Sequence, residues 1–384
     1  MNIIKESKMK KILVVSLLAL LCLSVVEAQN KKQKTDKIYP DVSIFEDAIR
    51  HFNDTLALKF KFDRYEPSQV KEIAWNMVKY QNADGGWPKN IDWLAIIEPD
   101  SVKKLLNDHY KKSTLDNRNT YSQIEYIAQA YIITKEEQFR KSVERGLDFI
   151  LGAQRTSGGW RGWDVEAITF NDEVMTGIMK MLLDIKEGKE YFTWIDIERK
   201  QKAVAALQRA IDVTLKCQII VDGKKTGWCQ QHDHKTLKAI KARTFELPGI
   251  SSLETDAIVK FLMLIKNPSP EIIDAINSAV SWMKKSTLYG IRVIADREDS
   301  LKSKYNSRRP DRKLIEDKNA PPIWARFYEI ETNIPFFCNR DGIKVYSLSE
   351  VLPERRRGYG WYGYWPSEVL NDQYPMWKKQ NNIN

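Results

Sequence analysis

The sequence predicts a mainly helical fold of stacked or toroidal helical hairpins, with a smaller mixed α/β part near the C-terminus. Three observations predict it. Segments with apolar residues at helical spacing recur through residues 68–285. A glycine–tryptophan turn recurs among them: Gln81-Asn82-Ala83-Asp84-Gly85-Gly86-Trp87 is echoed by Gln154-Arg155-Thr156-Ser157-Gly158-Gly159-Trp160, and more weakly by Gly227-Trp228. From 287 the pattern breaks into short strand-like pieces with long polar connections.

In chain order, a first helix is expected within 29–60, with Phe45, Ala48 and Ile49 on one face. Helices follow over 68–80, 121–132, 138–152, 171–185, 198–214, 252–265 and 270–285, the last opened by the prolines of Asn267-Pro268-Ser269-Pro270. The three tryptophans stand 73 and then 68 residues apart, which fits one helical pair plus its loops per unit. If these turns converge on one face, they form a cleft. The plainer reading is that glycine ends each helix and tryptophan covers the end. Strands are expected at 291–294 and around 327–330, and the tail from 353 mixes Arg with Tyr and Trp.

Residues 12–26 are mostly apolar, preceded by Lys8, Lys10 and Lys11 and followed by Val26-Glu27-Ala28. This reads as a secretory signal over 1–28, too short for a stable membrane span. The processed chain would be secreted or periplasmic and is expected to be a monomer. Residues 29–286 would form the helical part and 287–384 the mixed part of one catalytic module. The signal holds four Lys and two Glu, so the formal charge of +10 falls to +8 on its removal. A basic exported chain fits an anionic partner, and no nucleic-acid module is present. Of the three cysteines left, Cys217 and Cys229 flank an expected hairpin and could pair; the alternative is three buried thiols with Cys338. There is no zinc spacing, P-loop, Rossmann fingerprint or nucleophile elbow.

Two pairs of hard oxygen ligands precede helices: Asp116-Asn117 and Asn171-Asp172. Such pairs fit Ca²⁺, and they equally fit helix N-caps. Arg243, Arg326 and Arg340 lie in apolar surroundings, where a guanidinium needs a carboxylate, from either the substrate or the chain itself. His232 and His234 could be metal ligands, acid–base groups or ordinary loop residues.

Five stretches then match in order: 75–90, 113–131, 168–175, 227–273 and 321–342. They include WNMVKYQNADGGWPKN, STLDNRNTYSQIEYIAQAY, KARTFELPG and PPIWARFYEIETNIPFFCNRDG. Here the chain resembles the family 10 polysaccharide lyases, secreted pectate lyases, over roughly residues 70–360. The resemblance implies an (α/α)₃ toroid or barrel that cleaves polygalacturonate, an anionic polysaccharide, by Ca²⁺-dependent β-elimination. It implies Asp116, Asn117 and Asp172 at a substrate-bridging calcium, Arg243 as Brønsted base, and Arg326 and Arg340 as clamps on uronate carboxylates. Lys241, Asn117 and Trp87 are further expected substrate contacts. One departure stands out: GGWRGWDVEAITFND carries Arg161 where the family has proline, and a shorter loop before Asn171, which bears on the number of subsites.

Two other readings compete. A helical-toroid glycoside hydrolase on acidic oligosaccharides would need two opposed carboxylates about 5.5 or 6.5–9.5 Å apart. A non-catalytic pectin-binding protein would keep Arg326 and Arg340 and turn nothing over.

Overall fold

The computed structural model describes residues 39–54, 62–98, 100, 101, 104, 111–296 and 310–383, so the expected signal at 1–28 lies outside the described residues. Val42–Asn384 forms one compact unit. Its helices are α1 (Glu46–Phe52), α2 (Val70–Tyr80), α3 (Tyr121–Thr134), α4 (Glu137–Gly152), α5 (Val174–Glu187), α6 (Ile197–Lys216), α7 (Ser252–Met263) and α8 (Pro270–Lys285). Each coincides with an expected segment to within a few residues. One difference matters: the helix expected from 171 begins at Val174, because Asp172 and Glu173 take left-handed backbone (φ 51° and 58°) and hold Asn171–Glu173 as a separate turn.

The hairpins α3–α4, α5–α6 and α7–α8 pack side by side. Helices α3, α5 and α7 make an inner layer, touching in that order; α2, α4, α6 and α8 make the outer one. Burial follows the layers. Helix α5 is buried at nearly every position from Val174 to Ile185, whereas α6 buries only a stripe through Ala203, Ala206, Leu207, Ala210 and Ile211. The hairpins form an open arc, not a closed barrel. The tail lies across it: α9 (Pro353–Gly358) is followed by a helical stretch from Pro366 that packs on α7 and runs into α10 (Tyr374–Gln380).

The recurring turns share one device. The indole N–H of Trp87 donates to Met77 O (2.8 Å), that of Trp160 to Ile150 O (2.9 Å) and that of Trp228 to Thr214 O (2.7 Å), each near the C-terminal end of the preceding outer helix. The amide of Gln81 donates to Gly85 O and to Ser142 O on α4; Gln154 does the same to Gly158 O and Ala206 O on α6. The third copy is stronger than its sequence implies: Gln218 donates to Thr226 O and to Ala275 O on α8. A small hairpin, β2 (Ile220–Val221) with β3 (Lys224–Lys225), is inserted there and sets glutamine and tryptophan ten positions apart, against six in the other copies. Gly85 (φ 95°) and Gly158 (φ 102°) let the turns touch the next outer helix, since a Cβ at either would lie 2.3 Å from Arg145 O or Arg209 O.

Short strands tie the loops together. The pair β1 (Ala167–Thr169) and β4 (Gln231–Asp233) joins the second turn to the third, with Ile168 opposite His232. A four-stranded sheet of order β11-β10-β9-β5 links β5 (Ile250–Ser251) to β9 (Phe327–Tyr328), β10 (Pro335–Cys338) and β11 (Lys344–Val345). A hairpin, β6 (Ile291–Asp296) with β7 (Asp311–Glu316), contains the strand expected at 291–294. A second core of Phe245, Phe327, Phe336, Phe337, Tyr359 and Trp361 packs under this part.

The pairing allowed for Cys217 and Cys229 is not made: both thiols, like Cys338, are free and buried. Cys217 ends α6 in the main core, while Cys229 lies beyond Trp228 and points its Sγ at Ile240 O. His232 is also structural. It is fully buried, accepts from the Cys229 N–H at Nε2 (3.1 Å) and meets Leu237 O at Nδ1 (2.9 Å). Among the described residues no helix is long and apolar enough to cross a membrane.

Candidate functional site

The loops entering the inner helices bring chemistry to one end of the arc. Asp116 and Asn117 precede α3, Asn171 and Asp172 precede α5, and Glu254 lies in the first turn of α7. Three helix N-termini thus share one region, where their dipoles favour anions. Neither aspartate caps its helix. Thr120 caps α3 in a capping box with Gln123, and α5 has no side-chain cap. Asn117, Arg118, Thr120, Asp172 and Glu173 all have φ between 51° and 69°. Asn and Asp tolerate this conformation, but Arg, Thr and Glu hold it only when their surroundings impose it. Here Arg118 Nε donates to Glu173 Oε1 (3.0 Å) and the Arg118 backbone N–H to Asp172 O (3.3 Å), clamping the two loops together.

Asp116 is buried and bound to Lys89, Nζ to Oδ2 2.6 Å, with the ammonium 4.4 Å from the Trp163 ring centre. Asp172 accepts from Asn171 Nδ2 (2.9 Å) at the wall of a pocket of about 200 Å³ shared with Asn117, Arg118, Glu173 and Glu254. Desolvation, and then the charge of Asp116, raise the Asp172 carboxyl above the usual carboxylate range against the pull of Arg326 and Arg243, although the side chain itself opens to solvent. Asn117 donates from Nδ2 to Asn90 Oδ1 (3.0 Å), which leaves its amide oxygen as an acceptor. Asp116, Asp172 and the Asn117 amide oxygen are oxygen donors of the kind a hard divalent cation takes. Among the described residues no group of three His, Cys, Asp or Glu side chains gathers to hold a metal by itself.

The arginines follow. Arg326 is buried at 8% exposure; its Nη2 donates to Asn171 Oδ1 and Glu254 Oε1, both 3.0 Å, and it stacks 4.6 Å from the Tyr359 ring. Its Nε is buried with no partner among the described residues. Arg243 is 41% exposed and grips buried Glu246, Nε to Oε2 2.8 Å and Nη2 to Oε1 2.5 Å. Burial works against its charge, but the hydrogen bonds and charge of Glu246 outweigh it and hold the guanidinium more firmly protonated than usual. Glu246 also accepts from Tyr359 OH (2.9 Å), and Tyr359 accepts from Gln230, which donates in turn to Asn171 and Glu254. One network therefore runs from Arg243 to Asp172. Arg340, Arg243 and Arg355 all lie against the Phe245 ring, and Arg340 and Arg355 both bind Glu354.

Asp116, Asn117, Asp172, Arg243 and Arg326 thus gather around one region, with Arg340 adjoining Arg243 through Phe245. Lys241 is exposed two positions before Arg243. Trp87, expected to touch substrate, does not reach the cleft: it is fully buried with its N–H spent on Met77 O, so the helix-covering reading holds for it. Sequence reasoning missed Lys89, Glu254 and Tyr359, whose partners lie far away in the chain, and Arg355, which binds its neighbour Glu354 but stacks on the distant Phe245. For Lys89 a local signal existed, two positions after the first turn's tryptophan.

Guanidiniums and carboxylates gathered at the rim of an arc of helical hairpins fit an enzyme that handles polyanions. The chain belongs to the pectic acid lyase family, whose model matches residues 81–370. It is therefore a polysaccharide lyase, and its general activity is on galacturonate polymers. Two solved structures share the fold. The family 10 polysaccharide lyase from Cellvibrio cellulosa is 23% identical, with a TM-score of 0.67 over 83% of this chain and 96% of that one. A mutant of a family 10 lyase from the same organism, in complex with trigalacturonic acid, is 24% identical, with a TM-score of 0.66 over 80% of this chain and 96% of that one. No curated protein matches the chain.

Proposed function

We propose that the protein cleaves de-esterified polygalacturonate by calcium-dependent β-elimination and leaves 4,5-unsaturated oligogalacturonates. The observation that carries the reading is the placing of Asp116 and Asn117 before α3 and of Asn171 and Asp172 before α5, with Arg326 bonded to Asn171 and joined to Arg243 through Gln230, Tyr359 and Glu246. Carboxylate and amide oxygens of this kind are what a hard divalent cation takes, and the guanidiniums beside them fit uronate carboxylates. The trigalacturonic acid bound to the similar Cellvibrio lyase supports an acidic saccharide in the cleft.

Asp116 and Asp172, with the Asn117 amide oxygen, would hold calcium, and calcium would supply charge withdrawal at a bound uronate carboxylate. Arg326, braced by Asn171 and Glu254, would orient that carboxylate and stabilise the charge that develops on it. Arg340 would grip a neighbouring uronate. Arg243 would remove the C5 proton, the electron pair would form the C4–C5 double bond, and the C4–O bond would break with its electrons leaving on the glycosidic oxygen. For this the guanidinium must first lose a proton that Glu246 helps it keep. Alkaline pH and added positive charge nearby both favour that loss.

The test is the ultraviolet absorbance of unsaturated product from polygalacturonate, with and without a chelator. Chelation should stop the reaction and added Ca²⁺ restore it, and Arg243→Ala should fold yet show no turnover. Reducing ends released without unsaturation would establish the hydrolase reading instead.

A further inference from the structure

Lys89 is a buried cation placed on one of the two carboxylates the calcium reading uses. Its side chain and that of Asp116 are each about nine-tenths buried, and Nζ lies 2.6 Å from Oδ2. The other face of the ammonium meets the Trp163 ring at 4.4 Å. The loop carrying Trp163 closes over Asp116 as well, since a Cβ on Gly162 would lie 3.3 Å from Asp116 Oδ1. Charge can be counted around the pocket. Arg243 is matched by Glu246, Arg326 by Glu254, Arg118 by Glu173 and Asp116 by Lys89, so Asp172 is the acidic group left without a paired cation in this set. At most one net negative charge in this set is little for a divalent cation that prefers six to eight oxygens with several anionic.

We propose that Lys89 is a resident counter-ion that keeps the metal site weak in the free protein and so couples calcium binding to the arrival of a uronate carboxylate. The uronate supplies the missing negative charge, and the ammonium shares Asp116 with the metal while staying against Trp163. This inference rests on the calcium reading and adds a residue that sets the order of binding.

The test is a titration of the full-length protein with Tb³⁺, read by tryptophan-sensitised luminescence, and with Ca²⁺ by calorimetry, with and without trigalacturonate. Wild-type protein should bind either ion at least tenfold more tightly with the saccharide present. Lys89→Met should bind them at least tenfold more tightly than wild type without saccharide, and should lose most of the coupling. Lys89→Gln, neutral and still able to donate to Asp116, should behave in the same way, and Lys89→Arg should behave like wild type. Variants no tighter than wild type, where wild type shows the coupling, would overturn the role of Lys89 alone. No ion binding by wild-type protein even with trigalacturonate would overturn the calcium reading beneath it.

Discussion

Glu246→Gln separates a base role for Arg243 from a merely orienting one. The change keeps the shape of the side chain and an acceptor oxygen for Tyr359, but removes the negative charge that Arg243 grips at 2.8 and 2.5 Å. Opposite unit charges about 4 Å apart interact by about 4 kcal/mol at an effective dielectric constant near 20. Arg243 is 41% exposed, so solvent screening reduces this to about 2 kcal/mol. At about 1.4 kcal/mol per tenfold, the cation loses its proton more readily by between one and two powers of ten. The sign follows: if the neutral guanidine is the working form, activity rises with pH, and the variant reaches a given activity at lower pH. The rising limb of kcat/KM against pH, followed by unsaturated-product absorbance at saturating Ca²⁺, should move toward neutrality by roughly one to two pH units. An unmoved limb with uniformly lower activity would refute the reasoning, because it would show that Arg243 works as a fixed cation with Glu246 as its brace.

Gly85→Ala should destabilise the protein by about 2 kcal/mol or more, because φ is 95° and the new Cβ would meet Arg145 O at 2.3 Å; a lower urea midpoint with unchanged slope checks this. Gly152→Ala, with no atom within 4 Å of its Cβ at the end of α4, should instead be neutral or gain up to about 1 kcal/mol. Burial lowers the pKa of His232 to about 4, so its folded form binds fewer protons than the unfolded chain. Its contribution is full above the unfolded value of 6.5 and is lost as pH falls toward 4, costing about 3 kcal/mol across that window. His232→Gln should flatten the stability curve there, measured by urea unfolding from pH 7 to 4.

The helices were legible because each carries a 3.6-residue apolar rhythm that tertiary contact only reinforces. The turn repeat was legible where glutamine and tryptophan keep their spacing; an inserted hairpin hid Gln218, whose bonds to Thr226 and Ala275 reveal it. Asp116 and Asp172 could be singled out by type, but caps and metal ligands look alike in sequence, and the strained backbone after each shows that neither caps. The ion pairs were not legible: Lys89 meets Asp116 across 27 positions and Arg326 meets Glu254 across 72. Trp87 was misread because a buried and a cleft-lining tryptophan have the same neighbours in the chain. Only the docking of its turn against α4 decides between them.

That docking also accounts for the strain at the site. Residues held at φ near 50–70° without glycine cost about 1–3 kcal/mol each, so Arg118, Thr120 and Glu173 need a frame that does not yield. The glutamine and tryptophan anchors supply it, because each pins a turn to its own helix and to the next outer one through carbonyls that helix ends and grooves leave available. The loop between anchor and inner helix is then free to differ from copy to copy. The second is short, with Arg161 and Arg155 both bound to Glu166 at its rim and Trp163 turned in toward Lys89. The second loop thus decides what covers Asp116 and Lys89, while the placing of Asp116, Asp172 and Arg326 is set by the anchored frame.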